Sequence, residues 1–209
     1  MDRISCIKPL RLLAVLGCVL AFPQGASAHL VTTGLGPVYD GIGHLVFTVD
    51  DLIPVIGLAI LAGLRGPRSG RYALFALPAA WFIGGLLGLG APQEVTFPFQ
   101  CISFLLVGIL IASDLCLPVL AVVALTVLLG LFHGYADGSA IKDAGAASGT
   151  LELIGLMVAL FVIMALVSAM VITLRWDWTR IVVRVAGSWI AAMGLLLLGW
   201  AIHTAGGRT

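Results

Sequence analysis

The stretch Gly41-Ile42-Gly43-His44-Leu45-Val46-Phe47-Thr48-Val49-Asp50-Asp51-Leu52-Ile53-Pro54 decides how this chain is read, because it places two adjacent carboxylates in a run that has to cross a membrane. The apolar run after the pair, Leu52 to Leu64, has only thirteen residues, against about twenty for a span. The first span therefore reaches back to about Gly41, with Asp50 and Asp51 in its middle third. An Asp at the centre of a transmembrane helix costs roughly 2.5 to 3.5 kcal/mol on insertion scales, so acid there points to a functional site.

The rest of the chain has the composition this reading needs. Of 209 residues, 61% are hydrophobic and 10% charged, and the mean hydropathy is +1.15. Such a chain is an all-α integral membrane protein whose main partner is the lipid bilayer. A net charge of +1 gives no footprint for nucleic acid. No P-loop or dinucleotide fingerprint follows a strand, which excludes an ATP-driven pump on this chain alone.

Residues 1–28 read as a cleaved signal peptide. Arg3, Lys8 and Arg11 precede an apolar core from Leu12 to Phe22, and Ala26-Ser27-Ala28 supplies the cleavage pattern. Val15-Leu16-Gly17-Cys18 is a competing, looser lipobox. Cleavage before His29 would start the mature chain with a histidine whose amine and ring are able to chelate a metal; a frayed terminus is the plainer alternative. Cys101 and Cys116 lie in apolar runs and read as packing residues.

Residues 29–209 then form one domain of six spans, about 41–64, 72–90, 97–112, 115–132, 151–174 and 181–203. Arg65, Arg68, Arg71, Arg175, Arg180 and Arg184 fall at loops on one side, leaving Lys142 and Arg208 on the other. The positive-inside rule therefore places both mature termini in the periplasm of a bacterial inner-membrane protein. Trp176 and Trp178 read as interface anchors, and Asp114 as a cap of the fourth helix, with Pro118 in its first turn. Gly84, Gly85 and Gly88, and Gly130 with Gly134, have the spacing that lets helices approach closely in lipid. They argue for a compact bundle and leave a homo-oligomer open.

In this topology His29, His44, His133, His203, Asp40, Asp137, Asp143 and Glu152 gather at or near the outer face, and Asp50 and Asp51 extend them inward to a midplane site. On a continuous helix His44, Thr48 and Asp51 share one stripe while Asp50 points about 120° away. Pro54 has no N–H to give the carbonyl of Asp50, so it either frees a ligand or merely kinks the helix. His133 and Asp137, four apart, share a face if their helix persists past Gly134; an ordinary helix stop is the competing account. A three-plus-three inverted repeat would bring the polar ends of the first and fourth segments together.

Gly41-Ile42-Gly43-His44 through Asp50, followed by Phe132-His133-Gly134-Tyr135-Ala136-Asp137-Gly138, resembles the hydrogenase and urease accessory permease family HupE/UreJ. The resemblance implies a six-span secondary permease, not an enzyme, importing nickel or cobalt for a metalloenzyme maturation system. The family's first motif, His-Pro-x-x-Gly-x-Asp-His, is matched by His44 and Asp50, with Asp51 in place of the second histidine. Its second motif, Phe-His-Gly-x-Ala-His-Gly-x-Glu, is matched by Phe132, His133, Gly134, Ala136 and Gly138; Asp137 replaces a histidine and Ala140 the glutamate. Carboxylate for imidazole makes a harder site, shifting preference from nickel or zinc toward manganese or magnesium.

The expected cargo is thus a divalent transition-metal ion, nickel or cobalt first, with His44, Asp50, Asp51, His133, Asp137 and His29 as candidate ligands and no tightly bound cofactor. Histidine ligates only when neutral, so uptake should weaken below about pH 6 to 6.5. Two rivals stand beside this: a non-transporting accessory protein with a degenerate site, and a haem subunit with His44 and His133 as axial ligands.

Overall fold

The computed structural model describes residues 33–91, 99–173 and 177–206. The signal segment, His29, Arg175, Trp176 and Arg208 lie outside them. The described residues are helical throughout, with no strand. Helix α1 spans Pro37–Phe47, α2 Val49–Leu64, α3 Pro67–Leu89, α4 Phe99–Ser113, α5 Val119–Ile141, α6 Ala146–Thr173 and α7 Asp177–Gly206, with a 3-10 turn, Lys142–Ala144, between α5 and α6.

Four of these helices, α3, α5, α6 and α7, are long and apolar enough to cross a bilayer singly. The pair α1 and α2 reaches that length only together, and it is bent by 75°. Helix α4, with 15 residues, is shorter. The described chain is therefore a multi-pass helical membrane protein with four to five candidate spans by length and composition.

The continuous first helix expected from the sequence is broken. Thr48 leaves the helical region, at φ −89° and ψ 96°, and its N–H closes α1 on the carbonyl of His44. Helix α2 then starts at Val49, so Asp50 and Asp51 occupy its first turn and not the middle of a span. Carboxylates there face the positive end of the helix dipole and the free N–H groups of the first turn, which lowers the cost of their charge. Pro54 sits inside α2, so the break lies six residues before the proline that the sequence offered as its cause.

Close-packed pairs organise the bundle around α2. Helices α3 and α5 meet through glycine: a Cβ on Gly134 would strike the carbonyl of Trp81, and one on Gly138 that of Gly85. Gly41 of α1 lies against the backbone of Glu152 in α6, and Gly155 of α6 against that of Val38 in α1. Gly108 of α4 meets Ala191 of α7 in the same way. Without side chains between them the backbones pack directly, which is how helices associate where lipid removes the hydrophobic drive. Helix α2 inserts Leu58, Ala59, Leu61 and Ala62, all essentially buried, among these pairs.

Two local expectations are corrected. Helix α5 does not stop at Gly134 but runs to Ile141, because its glycines serve contact with α3 and not termination. Asp114 does not cap the next helix, whose N-cap is Pro118. It follows the end of α4 with φ 48° and accepts hydrogen bonds from Arg65 and, at 2.9 Å, from Arg180. Trp178 is exposed, as an interface anchor would be. Cys101 is buried, whereas Cys116 is exposed.

Candidate metal centre

The bend at Thr48 turns His44 back toward the helix that follows it. His44 Nε2 lies 3.8 Å from Asp51 Oδ2 and 3.5 Å from Asp137 Oδ1. Asp51 and Asp137 are 4% and 6% exposed. These three residues offer one ligand atom each within 4.8 Å of one another, a group fit to hold a metal ion. The persistence of α5 is what brings Asp137 in, on the same face as His133.

Each carboxylate is divided between two duties. Asp51 Oδ1 meets His133 Nδ1 at 2.7 Å, and Asp137 Oδ2 accepts from Trp81 Nε1 at 2.8 Å. Their other oxygens, Asp51 Oδ2 and Asp137 Oδ1, turn toward His44 Nε2, which is buried and makes no hydrogen bond. A buried polar atom without a partner costs free energy, and a cation bound between His44 Nε2 and the two carboxylate oxygens would remove that cost. Donors placed about 2.0 to 2.2 Å from a divalent ion stand about 2.8 to 3.6 Å from each other at octahedral or tetrahedral angles. The observed separations from His44 are close to that.

His133 supports the cluster from behind. Its Nε2 meets Ser103 Oγ at 3.0 Å, and Ser103 in turn donates to the carbonyl of Gln100 at 2.8 Å. The hydroxyl proton is thereby used, so Nε2 carries a hydrogen and donates to Ser103. With Nδ1 against Asp51 as well, neither ring nitrogen is free for an iron, which disfavours the haem alternative. The ring also packs against Trp81, centroids 5.1 Å apart. Partners of this kind orient ligands at metal sites and tune them.

The remaining candidates lie elsewhere. Asp50 is exposed and outside the group. Asp40 accepts from the backbone and hydroxyl of Thr33 ahead of α1, Asp143 is exposed in the turn after α5, and His203 is exposed near the end of α7. His133 and Asp137 are eight and four residues before the end of α5, about 12 and 6 Å of rise. Sequence reading missed Trp81 and Ser103, which carry no local signal in mid-helix. It also left Glu152, 4% exposed, out of the site.

The polar ends of the first and fourth apolar segments thus meet. A family described as HupE / UreJ protein matches residues 16–197. Protein HupE of Rhizobium leguminosarum bv. viciae is 25% identical over 185 residues, which cover 86% of this chain and 93% of the relative. No solved structure matches the chain. With the match running from before α1 into α7, and both motif regions contributing to one buried His/Asp cluster, the chain belongs to the HupE/UreJ family of membrane proteins.

Proposed function

We propose that this chain is a secondary permease for a divalent transition-metal ion, nickel or cobalt first, which enters from the periplasmic side through His44, Asp51 and Asp137. The observation that carries the reading is the division of the two carboxylates, each with one oxygen fixed by a protein donor and the other turned toward the unpartnered Nε2 of His44. In this reading His133, Trp81 and Ser103 orient the ligands, and Asp50 at most adds charge near the entrance. The ion is cargo, so no covalent step is needed. An inward-negative membrane potential favours cation entry by about 2.3 kcal/mol per charge per 100 mV. Membership of the family supports an accessory role for a nickel-dependent hydrogenase or urease.

The one nitrogen and two carboxylate oxygens form a harder set than an imidazole-rich site, which keeps manganese in view beside nickel and cobalt. Metal accumulation in cells with and without the protein, measured across nickel, cobalt, manganese, zinc and iron, tests the proposal. Protein-dependent accumulation of one ion, lost in Asp51→Asn, is expected. Equal accumulation of all five with and without the protein would leave a non-transporting accessory role instead.

A further inference from the structure

Glu152 stands apart from the site just described and has no partner of its own. It lies one turn and a half into α6 and is 4% exposed, and its Oε1 is buried without a hydrogen bond. Among the described residues only three other side-chain atoms share that condition, and one of them is His44 Nε2. The two orphans belong to the same seam. Gly41, three residues before His44 on α1, packs directly on the backbone of Glu152. Residues three apart share a helix face, so His44 is the next side chain along the face that meets Glu152.

The charges agree with the packing. Glu152 interacts electrostatically with His44 first, then with Asp40 and Asp137. Asp40 is already engaged by Thr33, whereas Glu152 has an oxygen to give. The oxygens of Glu152 lie outside the 4.8 Å group of His44, Asp51 and Asp137, so a change of side-chain rotamer has to bring one of them to a cation held there, which would satisfy the buried oxygen.

We propose that Glu152 is a fourth ligand of the cation site, contributed by α6, which joins His44, Asp51 and Asp137. This rests on the permease reading only in taking the cluster to bind a divalent cation. A third carboxylate oxygen makes the donor set one nitrogen to three oxygens, and it shifts selectivity toward harder ions within the divalent series. It also brings a fourth helix into the site, α6, which is joined to α1 at Gly41 and Gly155.

Titration of the purified full-length protein in detergent with Co²⁺, followed by the visible ligand-field bands, tests this. Glu152→Gln is expected to weaken Co²⁺ binding by about tenfold or more, to change the band positions at saturation, and to lower the Mn²⁺ to Ni²⁺ affinity ratio. Should Glu152→Gln not fold, Glu152→Asp keeps the charge but withdraws the oxygen by one methylene, and altered bands are again expected. Unchanged affinity and bands in the folded variant, with binding lost in Asp51→Asn, would overturn the role of Glu152 and leave the three-residue site standing. A wild-type protein that binds no Co²⁺, Mn²⁺ or Ni²⁺ would overturn both.

Discussion

The two ends of α2 hold opposite electrostatic solutions to the same difficulty. At its N-terminal end Asp51 belongs to a buried His/Asp cluster in which Nε2 of His44 makes no hydrogen bond. At its C-terminal end, fourteen residues and about 21 Å away, Arg65 and Arg180 converge on Asp114, and both oxygens of that single carboxylate are occupied. The orphan at the first end is a ring nitrogen able to ligate a cation, whereas at the second the carboxylate is fully occupied and the atom left without a hydrogen bond, Arg65 Nε, is a donor that no cation satisfies. The first end is thus incomplete toward a cation and the second complete. Arg65, Arg180 and Arg184 gather at the end away from the His/Asp cluster.

This contrast is breakable, and the largest effect belongs to the incomplete end. Asp51→Asn combined with Asp137→Asn keeps shape and removes both negative ligands; cellular accumulation of the transported metal should fall at least about 100-fold, two successive tenfold steps of the size expected for an orienting partner. Accumulation that survives would show that the ion takes another path. Trp81→Phe removes only the N–H that holds Asp137 Oδ2, and Co²⁺ affinity of the purified protein should drop about tenfold, with the helix content unchanged. An affinity equal to wild type would mean that Asp137 does not need that anchor.

The complete end should answer in stability and not in binding. Asp114→Asn removes the counter-charge of Arg65, whose side chain is only 9% exposed, and a loss of about 2 kcal/mol is expected for a charged hydrogen bond weakened. Thermal unfolding in detergent should show it, with Co²⁺ affinity retained; a lost affinity instead would tie the two ends together. Arg180→Ala should do least, because its side chain is 65% exposed and such pairs contribute about 0.5 kcal/mol. A melting temperature shifted as far as in Asp114→Asn would mean that Arg180, not Arg65, carries the closed end.

Much of the scaffold was legible because its signals are local. Apolar runs and their lengths gave helices in a membrane, and the glycine spacing at Gly84, Gly88, Gly130 and Gly134 gave close helix packing, though not which helices meet. The four-residue spacing of His133 and Asp137 gave half of the cluster. The break at Thr48 was missed although Thr48-Val49-Asp50-Asp51 has the Thr-x-x-Asp form of a helix start. Length arithmetic, which asked for twenty continuous residues, outweighed it. Asp114 was misread for a different reason: its partners lie 49 and 66 residues away, and nothing in a window of the chain announces them. Trp81 and Ser103 were illegible as site residues for the same cause, since each is placed by packing between helices distant in sequence, whereas Glu152 was read among the polar residues of the outer face without being named a ligand.

The glycine contacts have a mechanical consequence. Backbones in direct contact have no side chains to repack, so α3 with α5, and α1 with α6, each behave as a welded unit. Trp81, His133 and Asp137 ride on the first unit, and His44 on the second, while Asp51 stands on α2 just past the elbow. An ion held by His44 and Asp137 is therefore a rivet through a seam, and its departure frees one unit to slide or tilt against the other. Spin labels on α5 and α6 should accordingly give a narrower distance distribution with metal than without.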